Sequence, residues 1–282
     1  MNFVSDFLVR LGYHVSIAGG ISKSFDYASE IGCTSMQIFL SSPRTWALEK
    51  SSPEEKRKFL EKTKTYDIKP IFVHMPYLPN VASPKEDVYE KSIKIMESIV
   101  NECATLGIQY VIAHLGSELG TGKENGIKRV ISGINKIKKV NNGVSILLEN
   151  QAGQKNSVGS YLDDLKEIFD NLNTDEKGFC IDTCHLFAAG YDITKKEVLD
   201  EIKDKIGLEN IKVIHLNDAI YELGSKRDRH ECIGKGSIGV EGFKKFFSYK
   251  GINKMNFILE TPRTDKTEEL EELSLVKKLI SE

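Results

Sequence analysis

The sequence has little net charge, few cysteines and no long hydrophobic run. Its formal net charge is −2, so no global basic field indicates a nucleic-acid partner, and any such surface must be a local patch. The five cysteines are an odd number without a C-x-x-C pair, which argues against a disulfide framework and favours a reducing, cytoplasmic setting. No stretch reaches the roughly 18 apolar residues of a membrane span. The first residues, MNFVSDFLVRLG, also lack the features of a secretory signal.

The chain does contain enough apolar residues for a large core, arranged in a regular alternation. Apolar residues make up 40% of the 282 residues, which suits one large domain spanning residues 1–282. The predicted strands are Tyr13 to Ile17, Ser35 to Leu40, Ile71 to His74, Tyr110 to His114, Ser145 to Glu149, Phe179 to Ile181, Ile211 to His215 and Asn256 to Glu260. The predicted helices are Ser22 to Glu30, one beginning near Ser52, Ser83 to about Leu106, Glu124 to Val140, Tyr161 to Asn171, Lys195 to Ile206, Phe243 to Phe247 and Thr267 to Ile280.

The predicted strands are continuous Val, Ile and Leu runs rather than alternating ones, as expected for strands buried on both faces. Eight such strands alternating with eight helices predict an α/β fold, a single-domain (β/α)8 TIM barrel. A doubly wound open sheet is the alternative. It is disfavoured because no G-x-G-x-x-G motif follows the first strand.

Histidine is scarce, and its positions follow the strands. Five of the six histidines lie at predicted strand ends or just beyond them, and the sixth, His230, lies two residues from Asp228 in a Gly-rich loop. None lies on a predicted helix. The strand-end residues are His14, His74, His114, Glu149, Asp182, His215 and Glu260, with His185 three residues past Asp182. Because the carboxyl ends of parallel barrel strands meet at one face, we expect these side chains to converge there.

Imidazole and carboxylate groups without cysteine suit zinc, manganese or iron(II). We leave out His14, which we expect to be hydrogen-bonded behind a ligand. We also leave out Cys184, whose side chain should point away from that of its neighbour His185. The remaining five histidines and four acids are too many for one tetrahedral ion, but they would serve two or three ions if one carboxylate bridged. Clustered ions of this kind suit phosphoester hydrolysis.

Simpler interpretations exist for individual residues. Asp182 alone could cap a helix, and a lone His185 could be a buried histidine with satisfied hydrogen bonds. Glu149 and Glu260 could pair with basic residues in a structural network, although no Lys or Arg lies at a neighbouring strand end. The Gly-rich segment from Ile233 to Gly239 resembles a phosphate-binding loop by composition only.

Segments along nearly the whole chain resemble the endonuclease IV family of zinc-dependent apurinic/apyrimidinic DNA endonucleases. Between residues 14 and 262 the matching segments are HVSIAGG, IFVHMPYL, VIAHLGS, LLENQAGQ, CIDTCHLFAAGYD, VIHLNDA, GSKRDRHECIGKGSIG and ILETP. The strings DTCH-x-F-A-A-G-Y-D and DRH-x-x-I-G-x-G-x-I-G are highly specific. The resemblance implies a barrel with a trinuclear zinc site that repairs double-stranded DNA by cleaving it 5′ to abasic sites. By default we expect a monomer.

The resemblance also implies roles for individual residues. The implied zinc ligands are His74, His114 and Glu149 for the first ion, Glu149, Asp182, His215 and Glu260 for the second, and His185, Asp228 and His230 for the third. Glu149 would be the catalytic, bridging carboxylate, and a metal-bridging hydroxide would attack the phosphorus in line. The products would be a 3′-hydroxyl and a 5′-deoxyribose phosphate. The family's DNA wedge matches Arg44, Tyr77 and Leu78. One departure is Met75-Pro76, where the family often has more polar residues; it concerns that loop rather than the ligands.

Two rival functions are to be weighed against this one. A sugar isomerase or epimerase on a similar metal barrel usually needs fewer metals and a proton-shuttling acid, base or Lys, and it gives the DRH segment no role. A catalytically inactive binder of DNA damage would not need a bridging Glu149. An abasic duplex incubated with the protein without added magnesium separates the three, because only the endonuclease cuts the strand.

Overall fold

The structure is a computed structural model that describes residues 9–46, 48, 50–137, 143–262 and 265–282. Within these ranges eight parallel strands close into a barrel in chain order, and the last of them, Asn256–Leu259, pairs back with the first, Arg10–His14. A separate two-stranded ribbon is formed by Asp218–Ala219 and His230–Glu231. The strands are β1 (Arg10–His14), β2 (Ser35–Ile38), β3 (Ile71–His74), β4 (Tyr110–His114), β5 (Ser145–Glu149), β6 (Lys177–Asp182), β7 (Ile211–His215), β8 (Asp218–Ala219), β9 (His230–Glu231) and β10 (Asn256–Leu259).

Helices connect the strands, and helices that are neighbours around the barrel pack against one another. They are α1 (Lys23–Glu30), α2 (Pro53–Thr65), α3 (Glu86–Leu106), α4 (Lys123–Ile137), α5 (Leu162–Asp170), α6 (Thr183–Ala189), α7 (Lys196–Ile206), α8 (Gly239–Ser248) and α9 (Lys266–Ser281). Local sequence sets their ends. Ser52 caps α2 by accepting from the Glu55 N–H at 3.2 Å, with proline in the first turn, and Gly107 ends α3 in the left-handed region.

The barrel interior is layered because strand side chains alternate with a period of two. An apolar layer has one fully buried residue from each of six strands, namely Phe72, Ile112, Leu147, Cys180, Val213 and Ile258. Two positions later each strand carries a polar residue on the same face. β1 and β2 show the same spacing. Gly12 and Ser35 are followed two residues later by the polar residues His14 and Gln37. A polar layer therefore lies at the carboxyl end of the barrel, above an apolar floor.

The predicted (β/α)8 barrel is confirmed, although β1 runs from Arg10 to His14 rather than from Tyr13 to Ile17. Arg10 and Gly12 interrupted the apolar pattern, so the strand was predicted to begin too late. Gly12 is required by close contact between strands, because a Cβ there would lie 1.8 Å from the carbonyl oxygen of Ser35. Beyond His14 the β1 side of the pairing continues with the Val15 N–H, which donates to the Gln37 carbonyl at 2.8 Å.

Helix α6 and the two-stranded ribbon were absent from the prediction. A loop was expected after Asp182, but α6 begins there, because one carboxylate oxygen of Asp182 accepts from the His185 N–H at 2.7 Å. His185 therefore lies on a helix and not in the predicted loop. No strand was predicted between β7 and the next helix, but the structure has a ribbon there in which Ala219 pairs with His230.

The predicted helix from Glu124 to Val140 corresponds to α4, and its last three residues, 138–140, lie outside the described residues. Across the described ranges, every helix is too short or too polar to span a lipid bilayer.

Candidate metal centre

The polar layer brings the predicted strand-end residues together. It consists of His14, Gln37, His74, His114, Glu149, Asp182, His215 and Glu260, one from each barrel strand or the position directly after it. With His185, Asp228 and His230 it supplies three groups of potential ligands, and in each group the ligand atoms lie within 4.8 Å of one another. These groups contain all nine predicted ligands.

The first group joins His74, His114 and Glu149 from three consecutive strands. The Nε2 atoms of His74 and His114 lie 3.1 and 3.5 Å from Oε2 of Glu149. Nδ1 of His74 donates to the carbonyl oxygen of Met75 at 2.6 Å, which leaves Nε2 to face the carboxylate. Met75 is buried, so its loop holds the histidine in place at the position where the sequence departs from the family pattern.

The second group joins Glu149, Asp182, His215 and Glu260. Nδ1 of His215 lies 2.8 Å from Oε1 of Glu149, 3.2 Å from Oε2 of Glu260 and 3.9 Å from Oδ2 of Asp182. Glu149 thus presents one oxygen to the first group and the other to the second. Because its side chain is fully buried, both oxygens are held at these positions without access to bulk water.

The third group lies on α6 and the segment leading into β9. Nε2 of His185 is 3.2 Å and Nε2 of His230 is 3.5 Å from Oδ1 of Asp228. His230 is also 3.5 Å from Oδ2 of Asp182, which connects this group to the second. Nδ1 of His185 donates to the Asn150 carbonyl at 2.9 Å, so its Nε2 faces the carboxylate. The helix and the ribbon missing from the prediction are therefore the elements that position this group.

The electrostatics of the cluster favour a charged ring at His185 and an ionised carboxylate at Glu149. Burial lowers the pKa of His185, but the carboxylates of Asp182 and Asp228 outweigh it and raise that pKa to about 10. Burial raises the pKa of Glu149, but His114 and His215 outweigh it and hold that pKa well below its usual range. The Glu149 carboxylate is therefore ionised at neutral pH, and its charge is matched by protons on the rings or by metal cations that replace those protons.

Two asparagines missed by the sequence reasoning hold Asp182 in place. Nδ2 of Asn217 donates to Oδ2 of Asp182 at 2.7 Å, and its Oδ1 accepts from the Glu260 N–H at 2.9 Å. Oδ1 of Asn150 accepts from the Asp182 N–H at 2.7 Å. A signal was available in the sequence, since Asn150 directly follows Glu149, and Asn217 follows a strand end by two residues. His14, predicted to lie behind a ligand, has Nδ1 3.1 Å from Oε1 of Glu260.

The Gly-rich segment differs from a phosphate-binding loop in that its amides are occupied. The buried carboxylate of Asp218 accepts from five backbone N–H groups at 2.8–3.2 Å, those of Ala219, Gly234, Gly236, Ile238 and Gly239. A Cβ at Gly236 would lie 2.5 Å from the Ala219 carbonyl oxygen, so only glycine fits there. The segment is folded around this carboxylate and supports the ribbon that carries His230.

Cys184 lies closer to the ligands than expected. Its Sγ is within 4.8 Å of potential ligand atoms of Asp182 and His230, and it donates to the Arg229 carbonyl at 3.5 Å. Burial raises the pKa of this thiol, so it is protonated at neutral pH.

The wedge candidates lie on two adjacent loops at the same end of the barrel. Arg44 is exposed in the loop after β2, and the exposed fractions of Tyr77 and Leu78, in the loop after β3, are 64% and 38%. The Tyr77 N–H donates to the Pro43 carbonyl at 3.2 Å and joins the two loops. The Tyr77 ring centroid is 6.2 Å from that of His74, so the aromatic side chain lies beside the candidate ligands.

The donor set fits metal ions. Imidazole nitrogens and carboxylate oxygens are ligands for zinc and similar cations. Three groups connected through Glu149 and Asp182 could hold ions side by side, an arrangement that suits neutralising a phosphate and activating water.

Comparisons with known proteins agree on the family. A family model described as a xylose isomerase-like TIM barrel matches residues 25–279. A probable endonuclease 4 of Nitrosopumilus maritimus is 44% identical over 276 residues, covering 95% of this chain and 99% of the relative. A probable endonuclease 4 of Thermotoga maritima is 43% identical over 262 residues, covering 90% and 91%.

Solved structures separate close similarity from shared fold. Endonuclease IV from Thermus thermophilus is 34% identical with a TM-score of 0.85, covering 96% of this chain and 99% of that one. A D-tagatose 3-epimerase-like protein is 20% identical with a TM-score of 0.72, covering 97% and 98%. The second likeness shows the barrel fold alone.

Proposed function

Since the chain belongs to the endonuclease IV family, we propose that it is a zinc-dependent DNA-repair endonuclease that cleaves the phosphodiester bond 5′ to abasic sites in double-stranded DNA. Its products would be a 3′-hydroxyl and a 5′-deoxyribose phosphate. The observation that carries the proposal is the grouping of nine ligands into three sets in which Glu149 faces two sets at once. The relatives named endonuclease 4 support the substrate class.

Three zinc ions fit the donor sets. His74, His114 and Glu149 would hold the first, Glu149, Asp182, His215 and Glu260 the second, and His185, Asp228 and His230 the third. When bound, zinc would supply Lewis-acid stabilisation of the phosphate and lower the pKa of a bound water.

The protein's own residues would position these partners. Glu149 holds one oxygen toward the imidazoles of the first group and the other toward His215. Asn217 fixes Asp182, the carboxylate that faces both the second and the third group. This rigidity matters because moving the phosphorus by about 1 Å from its reactive position can lower the rate roughly 10²-fold.

Recognition of damage would depend on the loops around this site. The cluster lies in an opening lined by Tyr77, Arg229 and Pro262. We expect a duplex phosphate to reach it only if the DNA is deformed. An abasic nucleotide has no base to unstack, so extruding it costs less than extruding a normal one. Arg44, Tyr77 and Leu78 would fill the gap that it leaves.

The test is incision of a duplex oligonucleotide with one abasic site, without added magnesium. We expect a single cut on the 5′ side of the lesion and a product that a polymerase extends, as a 3′-hydroxyl requires. An intact strand would leave the sugar isomerase or inactive-binder interpretations. A cut leaving a 3′-blocked end would contradict the proposed chemistry while leaving the nuclease class in place.

Metal content is the second arm of the test. Elemental analysis of purified protein should give about three zinc ions per chain, on the count of ligand groups. Cys184→Ser is the matched control, since its thiol lies near the third group and we expect it to keep all three. One ion or fewer in folded wild-type protein would remove the trinuclear arrangement. Loss of one equivalent in Cys184→Ser would make that thiol a ligand.

We also propose that the enzyme acts as a monomer in the cytoplasm. Gel filtration tests whether it is a monomer.

A further inference from the structure

Strand β2 contributes no candidate ligand to the polar layer, but it contributes a buried amide. Gln37 is fully buried and pairs in register with His14 on β1 and Phe72 on β3. By the two-residue period it lies in the same layer as the candidate ligands. An amide with four hydrogen-bonding positions is costly to bury unless its partners are supplied.

The side chain of Gln37 connects two candidate ligands of the second group. Its Oε1 lies 2.7 Å from Nε2 of His215. Its Nε2 lies 2.6 Å from Oε1 of Glu260 and 2.8 Å from Nδ1 of His14. The opposite amide orientation would turn an oxygen toward the Glu260 carboxylate, so the amide nitrogen must face Glu260.

This orientation determines the tautomer of His215. Because an amide oxygen only accepts, Nε2 of His215 must carry a proton and donate it to Gln37. Nδ1, which lies 2.8 Å from Glu149 and 3.2 Å from Glu260, donates to these carboxylates when no metal is bound and offers its lone pair once a metal ion replaces that proton. Nδ1 is therefore the nitrogen of His215 that could bind a metal ion.

His215 differs from three other histidines of the site in how its tautomer is fixed. His74, His185 and His230 direct Nδ1 toward backbone carbonyl oxygens, at 2.6, 2.9 and 3.3 Å, and present Nε2 to the cluster. A backbone acceptor survives a substitution of the residue that carries it. At His215 the acceptor is a side chain, so a single substitution removes it.

We infer that Gln37 is a positioning residue that sets the tautomer of His215 and orients the Glu260 carboxylate, so that the second group presents its lone pairs to a metal ion. The inference rests on the proposed function only in taking this group to be a metal site. It concerns how the ion is held and makes no claim about the DNA substrate.

The test compares Gln37→Leu and Gln37→Glu with wild-type protein loaded with zinc. Partner groups that orient a ligand typically contribute about 10–100-fold in metal affinity. For Gln37→Leu we expect loss of one zinc equivalent, or its release to a chelating dye at least about tenfold faster. Ser35→Ala is the matched control, because it removes a buried hydroxyl two residues earlier on β2 that donates to the Pro70 carbonyl. It should release zinc at the wild-type rate.

Long-range ¹H–¹⁵N spectra show which nitrogen of His215 carries the proton. This property would not change if Gln37 only packed against its neighbours. In loaded wild-type protein His215 should show a protonated Nε2, and Gln37→Glu, which keeps an acceptor, should preserve that tautomer. A protonated Nδ1 in wild-type protein would overturn the inference without any variant, even if Gln37→Leu fails to fold. Unchanged zinc content and release in folded Gln37→Leu would also overturn it. Zinc binding with these effects but no incision of abasic DNA would contradict the proposed function and leave the role of Gln37 standing.

Discussion

Glu149 is the residue at which two ligand groups meet. It is fully buried, with one oxygen 3.1 Å from His74 and the other 2.8 Å from His215. Glu149→Gln keeps the shape of the side chain but removes its charge and one acceptor oxygen. We expect incision of abasic DNA to be abolished while the fold is retained, because the charge felt by both ions changes together. Circular dichroism and an incision assay measure the two effects. Retention of most of the wild-type rate would show that Glu149 does not bridge.

Proton release on zinc binding is a second property of single residues. The pKa of His185 is raised to about 10, so the ring is protonated at pH 7 in metal-free protein, and its Nε2 must lose that proton to bind zinc. Zinc affinity should therefore rise with pH until about pH 10. The same shift stabilises the metal-free fold below the ordinary pKa of 6.5, and that contribution is lost as pH rises through about 10.

Calorimetric titration with zinc in two buffers of different ionisation enthalpy measures this release. At pH 7 we expect the apparent heats to differ between the buffers, and the difference should correspond to release of at least one proton per chain. Equal heats would mean that His185 is already neutral, and the pKa argument would be wrong.

At the level of elements, the alternating strands and helices of the barrel could be predicted from the sequence. Strand ends such as His74, His114, Glu149 and His215 were predictable because a buried parallel strand is a plain apolar run that stops at its polar residue. Helix α6 was not, because Asp182 does two things at once: one oxygen caps the helix, and the other faces His230. A carboxylate in a ligand pattern does not reveal that it also begins a helix.

Gln37 shows a second limit of pattern reasoning. Sequence comparison of strand ends finds groups known to bind metals, but an amide within an apolar strand gives no such signal. It becomes visible only through the barrel register, which places it beside His14 and two residues beyond Ser35. The short ribbon was missed for a related reason, since its pairing depends on the carboxylate of Asp218 rather than on any strand pattern.

Asp218 holds the loop from Gly234 to Gly239 in place through backbone hydrogen bonds. Replacing it with asparagine turns one acceptor into an N–H₂ group that faces backbone donors, so several of its five amide hydrogen bonds are lost. We expect Asp218→Asn to cost about 1–3 kcal/mol in unfolding free energy, and amide exchange across Gly234 to Gly239 to become faster. Hydrogen-exchange mass spectrometry and denaturant unfolding measure these. Asp265→Asn, at the exposed N-cap of α9, is the control, since asparagine also caps helices. Unchanged loop exchange in Asp218→Asn would mean that the loop holds its shape without this carboxylate.

At the level of the whole molecule, the barrel concentrates function at one end. The polar layer lies at the carboxyl ends of the strands, and the third ligand group and the wedge loops lie beyond them, as in other barrels of this type. The chain as a whole has a net charge of −2, and its buried carboxylates add negative charge where DNA would approach. Bound dications would reverse that local charge, so binding of DNA and binding of metal should favour each other.

The wedge depends on the loops after β2 and β3 and on bending of the DNA. Arg44 is exposed after β2, and Tyr77 and Leu78 are exposed after β3, joined by the hydrogen bond from the Tyr77 N–H to the neighbouring loop. Unstacking a base step costs about a few kcal/mol, and inserted side chains of this kind offset that cost. Replacing all three with alanine should weaken binding of abasic duplex by that amount, while zinc content and hydrolysis of a small phosphodiester are retained. A double variant of exposed α2 residues, Arg57→Ala with Leu60→Ala, should bind as wild type does. Filter binding and elemental analysis measure these outcomes. If the triple variant binds and cuts abasic duplex like wild type, the three residues pack only against their own loops, and the gap in the DNA is filled by another part of the surface.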